Sequence, residues 1–263
     1  YVINKDEDVF CERVYSPAVD MENIMREKSI PLFALESREP ITNFDFVTFT
    51  LQYELSYTNI LNILDLANIP ILKEERTLED PFIMVGGPCA YNSEPLADFV
   101  DVVILGEGEE VNLEVVNEYK EWKKNKTTRE DFLYKISSIE GVYIPSFYDV
   151  KYNEDGTVQS VTPNREGITK NPTKRIIKDV ETVDYPEKLI VPYIDTVHDR
   201  IVLELFRGCT RGCRFCQAGM IYRPIREKSV KRLKEILDKL VKNTGYDEIS
   251  LSSLSTSDYS KLS

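Results

Sequence analysis

Cys209, Cys213 and Cys216 stand within Glu-Leu-Phe-Arg-Gly-Cys-Thr-Arg-Gly-Cys-Arg-Phe-Cys-Gln-Ala-Gly, residues 204–219, with an aromatic, Phe215, just before the last of them. Thiolates are soft ligands suited to zinc and to iron–sulfur clusters, and three are one short of closing either kind of site. A cubane bound by three cysteines keeps one iron open, and an open iron can hold a substrate or cofactor. The spacing therefore points to chemistry rather than scaffolding. Spacings of four and three also place side chains on one helix face, so a buried helical stripe is the competing reading. Gly208 and Gly212 oppose it, since each costs about 1 kcal/mol relative to Ala inside a helix. Glycines suit a loop whose backbone must approach a cluster closely. A zinc site would need a fourth ligand, and the sole histidine is His198.

CxxxCxxC with an aromatic before the last cysteine resembles the signature of the radical S-adenosylmethionine (SAM) superfamily. The resemblance implies that Cys209, Cys213 and Cys216 hold a [4Fe–4S] cluster whose fourth iron is chelated by the amino and carboxylate groups of SAM. Reduction by a partner such as a ferredoxin or flavodoxin would then cleave SAM to a 5′-deoxyadenosyl radical that takes a substrate hydrogen. The longer string from His198 to Tyr259, with RGCTRGCRFCQAG, YRPIRE, TGYDEISL and SLSTSDY, is similar to a subfamily with a cobalamin-binding-like domain ahead of the radical SAM domain. Phe215 is then expected beside the adenine, with packing under the loop as its alternative. Ser252 and Ser253 fall where the family places a glycine-rich segment for the amino group of SAM, and a plain serine-rich turn is the alternative there. His198, in Val-His-Asp-Arg, reads as a surface or hydrogen-bonded residue or as a ligand.

The elements that must position these residues follow from the pattern upstream. At 263 residues and 42% hydrophobic, the chain has material for two domains with real cores. Three stretches are expected: a cobalamin-binding-like α/β domain over 1–126, a β-hairpin linker region over 127–198, and the start of a radical SAM domain over 199–263. Within the first, Phe44–Leu51, Pro81–Val85 and Val100–Leu105 read as buried strands. Thr58–Ala67 reads as a helix capped by Thr58, and about Glu110–Lys124 as a second. The fold class is α/β, doubly wound, of Rossmann or flavodoxin type.

Gly86-Gly87 and Gly106-Glu107-Gly108 follow strands, where doubly wound sheets bind ligands, and so form the candidate rim of a cleft; plain tight turns are the alternative. Cobalamin domains of radical SAM enzymes carry similar turns, and Thr50 falls near the position of a small hydroxyl by the corrin tail. No DxHxxG string supplies a lower cobalt ligand. Either the domain binds cobalamin without that histidine or not at all, or the motif precedes Tyr1, as the missing first strand of the expected order suggests.

Phe147–Tyr152, the turn Asn153-Glu154-Asp155-Gly156 and Thr157–Val161 read as a β-hairpin, followed by proline-broken connector without chemistry of its own. Ile201–Leu205 is the strand entering the cysteine loop. Val230–Lys242 is a helix with Ser229 as N-cap and Gly245 at its end, burying Val230, Leu233, Ile236, Leu237, Leu240 and Val241. Glu248–Leu251 completes the first βαβ unit of a (β/α) barrel. One such unit cannot close a barrel, so a piece of a longer protein, or completion by another chain, is expected.

No apolar run approaches the roughly 20 residues that span a bilayer, and the start carries no signal-peptide pattern. Cys11 and Cys89 stand apart from the three, so no disulfide framework appears and a reducing cytoplasm is expected. The net charge is −12, yet residues 199–242 carry twelve Lys/Arg against five Asp/Glu. The acidic bulk argues against general nucleic-acid affinity. Arg207, Arg211, Arg214, Arg223 and Arg226 either compensate a negative cofactor or line a groove for an RNA or phosphorylated substrate. Outside enzymes, a redox or zinc-binding module and an RNA-binding module are the other classes.

Overall fold

The computed structural model describes residues 1–194 and 196–262. It divides into two compact units, Asp6–Ile176 and Tyr1–Lys5 with Ile177–Ser263.

The first unit is a three-layer α/β structure. Its elements are α1 (Val19–Glu27), β1 (Phe46–Thr50), α2 (Tyr57–Leu66), β2 (Phe82–Gly86), β3 (Val102–Ile104), α3 (Gly108–Asn125), α4 (Arg129–Ile136), β4 (Val142–Tyr143), β5 (Tyr148–Tyr152) and β6 (Val158–Pro163). The sheet runs β1-β2-β3-β4, parallel except for β4. Side chains alternate across a strand, so Val47, Ile83, Val85 and Val103 meet α1 and α2 on one face. Phe82, Met84, Val102 and Ile104 meet α3 and α4 on the other. Covering both faces explains why β2 and β3 are apolar throughout, while the edge strand β1 alternates, with Thr48 and Thr50 exposed.

On the second face Phe46, Phe82, Tyr119, Trp122 and Phe132 form an aromatic nest, with Phe82 and Phe132 centroids 4.7 Å apart and Trp122 5.5 Å from Phe132. The Arg129 guanidinium lies 3.9 Å over the Phe82 ring. It also reaches Asp101 at 3.2 Å, where Arg76, with a fully buried side chain, binds at 3.0 Å. The same carboxylate accepts the Ile83 N–H at 2.7 Å. One acid thus joins two arginines to the entry of β2. Its desolvation is offset only because both partners are charged and the remaining Arg76 donors reach the Pro70, Ile71 and Phe99 carbonyls.

α2 begins one residue before Thr58, which therefore does not cap it; a 3₁₀ turn over Glu54–Ser56 runs straight into the helix. The Tyr57 hydroxyl instead anchors the first turn by donating to the Cys89 and Asn92 carbonyls, each at 2.9 Å. The hairpin β5–β6 turns through Asp155-Gly156 as its sequence requires, and Tyr148 packs it into the second core.

The second unit contains β7 (Ile201–Glu204), β8 (Phe206–Arg207), α5 (Ala218–Ile221), β9 (Arg226–Glu227), α6 (Val230–Thr244) and β10 (Ile249–Ser252). β7 and β10 are parallel neighbours joined through α6, a βαβ unit. The Ser229 hydroxyl accepts the Arg232 N–H at 3.1 Å to cap α6, and Gly245 ends it in the left-handed region. Leu233, Ile236 and Leu240 are buried, but Val230 and Val241 are exposed. Only two strands lie beneath α6 among the described residues, so the covered stripe is narrower than the apolar one. The connector before β7 also braces this unit: Glu181 binds the Ser229 backbone and hydroxyl, and the Tyr185 hydroxyl donates to the Val202 carbonyl at 2.7 Å.

Candidate metal centre

β7 and β10 are parallel, so their carboxyl ends share one edge, where α/β folds collect ligand-binding loops. At that edge Leu205 N–H donates to the Ser252 carbonyl at 3.0 Å. The chain then forms a stem: Phe206 pairs with Glu227, Arg207 with Arg226, and Lys228 N–H reaches the Leu205 carbonyl at 3.0 Å. Residues 208–225 are therefore a loop closed at its base, and all three cysteines lie on it. Gly208 shows why the first limb begins with glycine. It sits at φ +96°, and a Cβ there would lie 2.5 Å from the Pro224 carbonyl oxygen and 2.9 Å from Ile225 Cα on the returning limb.

A second clamp lies below the loop. The Lys228 ammonium, 1% exposed, bonds Glu204 Oε2 at 2.5 Å, while Arg207 Nε donates to Glu204 Oε1 at 3.1 Å. Burial alone would raise the Glu204 carboxyl, but Lys228 and Arg207 outweigh it and hold the group below the ordinary carboxylate range. The Tyr259 hydroxyl donates to the Lys228 carbonyl at 2.8 Å, and its ring stacks on Phe206. Neither Lys228 nor Tyr259 was singled out from the sequence. Glu204 was readable there as the one acid in an otherwise apolar strand, and it predicts a buried cation.

Within the loop, Cys209 is half-buried and Cys213 and Cys216 are exposed. A turn joins the last two, with Cys216 N–H donating to the Cys213 carbonyl at 3.0 Å. The three are not on one helix; α5 starts only at Ala218. Among the described residues no three His, Cys, Asp or Glu side chains stand grouped as metal ligands. The donor set nonetheless fits an open-site cluster: three soft thiols on one tethered loop, two of them facing solvent. A metal held by all three would need the loop to draw its thiols together.

Phe215 is 92% exposed, so it does not pack under the loop. Ser252 is exposed at the end of β10, in register with Glu204, and the Ser253 hydroxyl meets that of Thr256 at 2.9 Å. Both serines therefore share the loop's edge of the sheet. His198 is exposed and precedes β7, at the strand end opposite the loop. The arginines are largely engaged nearby: Arg207 with Glu204, Arg211 with Asp258, Arg223 with the Cys209 carbonyl, and Arg226 with the Ile177 carbonyl.

In the other unit Gly87 and Gly106 pack tightly on the chain's own backbone. Gly86 pairs with Thr50 at the end of β1, and Gly87 packs on the Leu51 backbone. Gly106, at φ +102°, forms a bridge with Arg175, whose backbone occupies the space a Cβ would need. Glu107 N–H donates to the Arg175 carbonyl at 3.1 Å, Gly108 abuts the Asn112 side chain, and the Arg175 guanidinium binds Glu110 and Glu114. A corrin does not fit the Gly106 turn while Arg175 lies on it. No helix among the described residues is long and apolar enough to cross a membrane.

Residues 1–145 match the family described as radical SAM proteins, N-terminal, and residues 203–263 match the radical SAM superfamily. An uncharacterized protein of Methanocaldococcus jannaschii is 31% identical over 238 residues, covering 89% of this chain and 44% of the relative. The chain thus spans less than half the length of that curated relative. With the first match covering more than half of the sequence and the second covering the cysteine loop, the chain belongs to the radical SAM superfamily.

Proposed function

We propose that this chain is the cofactor-binding part of a radical SAM enzyme, with Cys209, Cys213 and Cys216 holding a [4Fe–4S] cluster. The observation that carries the reading is the placement of all three thiols on one stem-closed loop at the carboxyl end of β7. When bound, the cluster supplies an open iron for SAM and, once reduced, the electron that cleaves SAM to methionine and a 5′-deoxyadenosyl radical. The chain's own residues position and shield. The β8–β9 stem fixes the two ends of the loop, and Glu204 with Lys228 locks the stem to β7. Phe215, exposed beside Cys216, offers a face for the adenine, and Ser252 and Ser253 offer hydroxyls to the amino group from the neighbouring strand end. A ferredoxin or flavodoxin supplies the electron, and an RNA or a protein is the candidate substrate class. Arg207 and Arg211 are paired with Glu204 and Asp258, so their charge is largely met within this unit, which weighs against a basic substrate groove.

Anaerobic reconstitution of the protein containing this chain tests the reading. The expected product is a brown protein with about four irons per chain that converts SAM to 5′-deoxyadenosine, with both properties lost in Cys213→Ala. Stoichiometric zinc without iron would favour a zinc-binding module, and cleavage undiminished in Cys213→Ala would refute the ligand assignment.

A further inference from the structure

Arg211 lies between Cys209 and Cys213, and its guanidinium grips Asp258 with two donors. Nε reaches Oδ2 at 2.6 Å, and Nη2 bonds Oδ1. The acceptor is braced in turn, because the Ser255 hydroxyl donates to Asp258 Oδ2 at 2.7 Å within the turn that ends in the 3₁₀ stretch Thr256–Asp258. The next two residues hold the stem: Tyr259 through the Lys228 carbonyl, and Ser260 N–H through Glu227 Oε1 at 3.0 Å. One short segment after β10 therefore grips both the base of the cysteine loop and its crest. A fork-to-carboxylate pair is directional and fixes the plane of the guanidinium. As an exposed ion pair it adds little to global stability. Its geometry suits ordering the loop more than holding the fold together.

We propose that Arg211 and Asp258 are positioning residues that hold the crest of the cysteine loop against the serine segment after β10, so that the crest is already placed and only the thiols must draw together around a metal. The proposal rests on the reading of the cysteines as ligands, but the clasp is made of protein side chains alone and can be tested without metal. Asp258→Asn removes the charge at nearly constant size. Arg211→Lys keeps the charge and removes the fork. Asp258→Glu is the conservative variant that retains a forked partner.

The first measurement is hydrogen exchange of the metal-free chain. The Cys216 amide, which donates to the Cys213 carbonyl, is expected to exchange about tenfold faster in Asp258→Asn and Arg211→Lys, a local opening that leaves β7 and α6 protected. Asp258→Glu stays near the unsubstituted rate. Equal exchange in all four proteins overturns the clasp. The second measurement is binding of Co(II) alone, read from its thiolate-to-cobalt charge-transfer absorption. Partners behind the ligands typically change metal affinity about tenfold or more, and that loss is expected for Asp258→Asn and Arg211→Lys, with recovery in Asp258→Glu. A loosened loop with unchanged Co(II) affinity overturns the positioning role. Cys213→Ser separates the two ideas: if it binds Co(II) as the unsubstituted chain does, the ligand reading fails, and the exchange result still decides the clasp.

Discussion

Glu204→Gln should destabilise the unit that carries the cysteines far more than a neutralised, partly exposed carboxylate ordinarily would. The reason is Lys228, whose side chain is 1% exposed and whose ammonium sits 2.5 Å from Glu204. The Tyr185 ring, 5.9 Å away, offers only a weak second attraction. Removing one partner of a buried pair costs about 3–5 kcal/mol, because a charge is left uncompensated. Glu204 is itself 31% exposed, and a glutamine oxygen still accepts a hydrogen bond, so the lower end, about 3 kcal/mol, applies. With a urea slope of about 1.5 kcal/mol/M, the unfolding midpoint of this unit falls by about 2 M. Urea-dependent hydrogen exchange, followed separately in β7 and α6 and in β2 and α4, reads the two units apart. The β7 and α6 amides should lose protection at lower urea while those of β2 and α4 do not change. Glu204→Gln combined with Lys228→Met should recover more than half of the loss, since an apolar chain of similar length replaces the stranded charge. A single variant that leaves the β7 midpoint in place, or a double variant as weak as the single, would refute the reasoning.

The same pair sets an acid limit. Glu204 is held below its ordinary value of 4.5, so its contribution is present above that pH and is lost as pH falls through the lower folded value. The difference in midpoint between the unsubstituted chain and Glu204→Gln should therefore shrink below about pH 4.5; a difference constant down to pH 3 would exclude the effect. In the other unit, Asp101→Asn strands the buried Arg76 and should cost about 3–5 kcal/mol, visible as lost protection in β2. Gly106→Ala forces a side chain into the left-handed region and onto the Arg175 backbone. Strain alone costs about 1–3 kcal/mol, and faster exchange around residues 105–107 should report it.

Local rules carried the sequence reading a long way. Apolar runs gave β1, β2, β3 and β7, the serine and glycine around α6 gave its ends, and Gly208 and Gly212 among the cysteines gave a loop rather than a helix. Long-range polar contacts were not legible. Arg76 and Asp101 are 25 residues apart, and Arg211 and Asp258 are 47 apart; neither partner has a periodic signature, because a charge pair is specified by folded distance alone. The connector before β7 read as inert because its role is to cap α6 and brace β7 from outside, contacts that exist only after folding. The glycine turns read as a cleft because a glycine that admits a ligand and one that admits the chain's own backbone look alike in sequence. At Gly106 it is the Arg175 backbone that lies where a Cβ would stand.

The aromatic nest around Phe82 has an optical consequence. Trp122 is the sole tryptophan of the chain, and it is packed against Phe82, Tyr119 and Phe132 in the first unit. Intrinsic tryptophan emission therefore follows the melting of that nest and is blind to the unit that bears the cysteines. A denaturation curve read by fluorescence and one read by circular dichroism report different transitions here, and their disagreement would measure how independently the two units unfold.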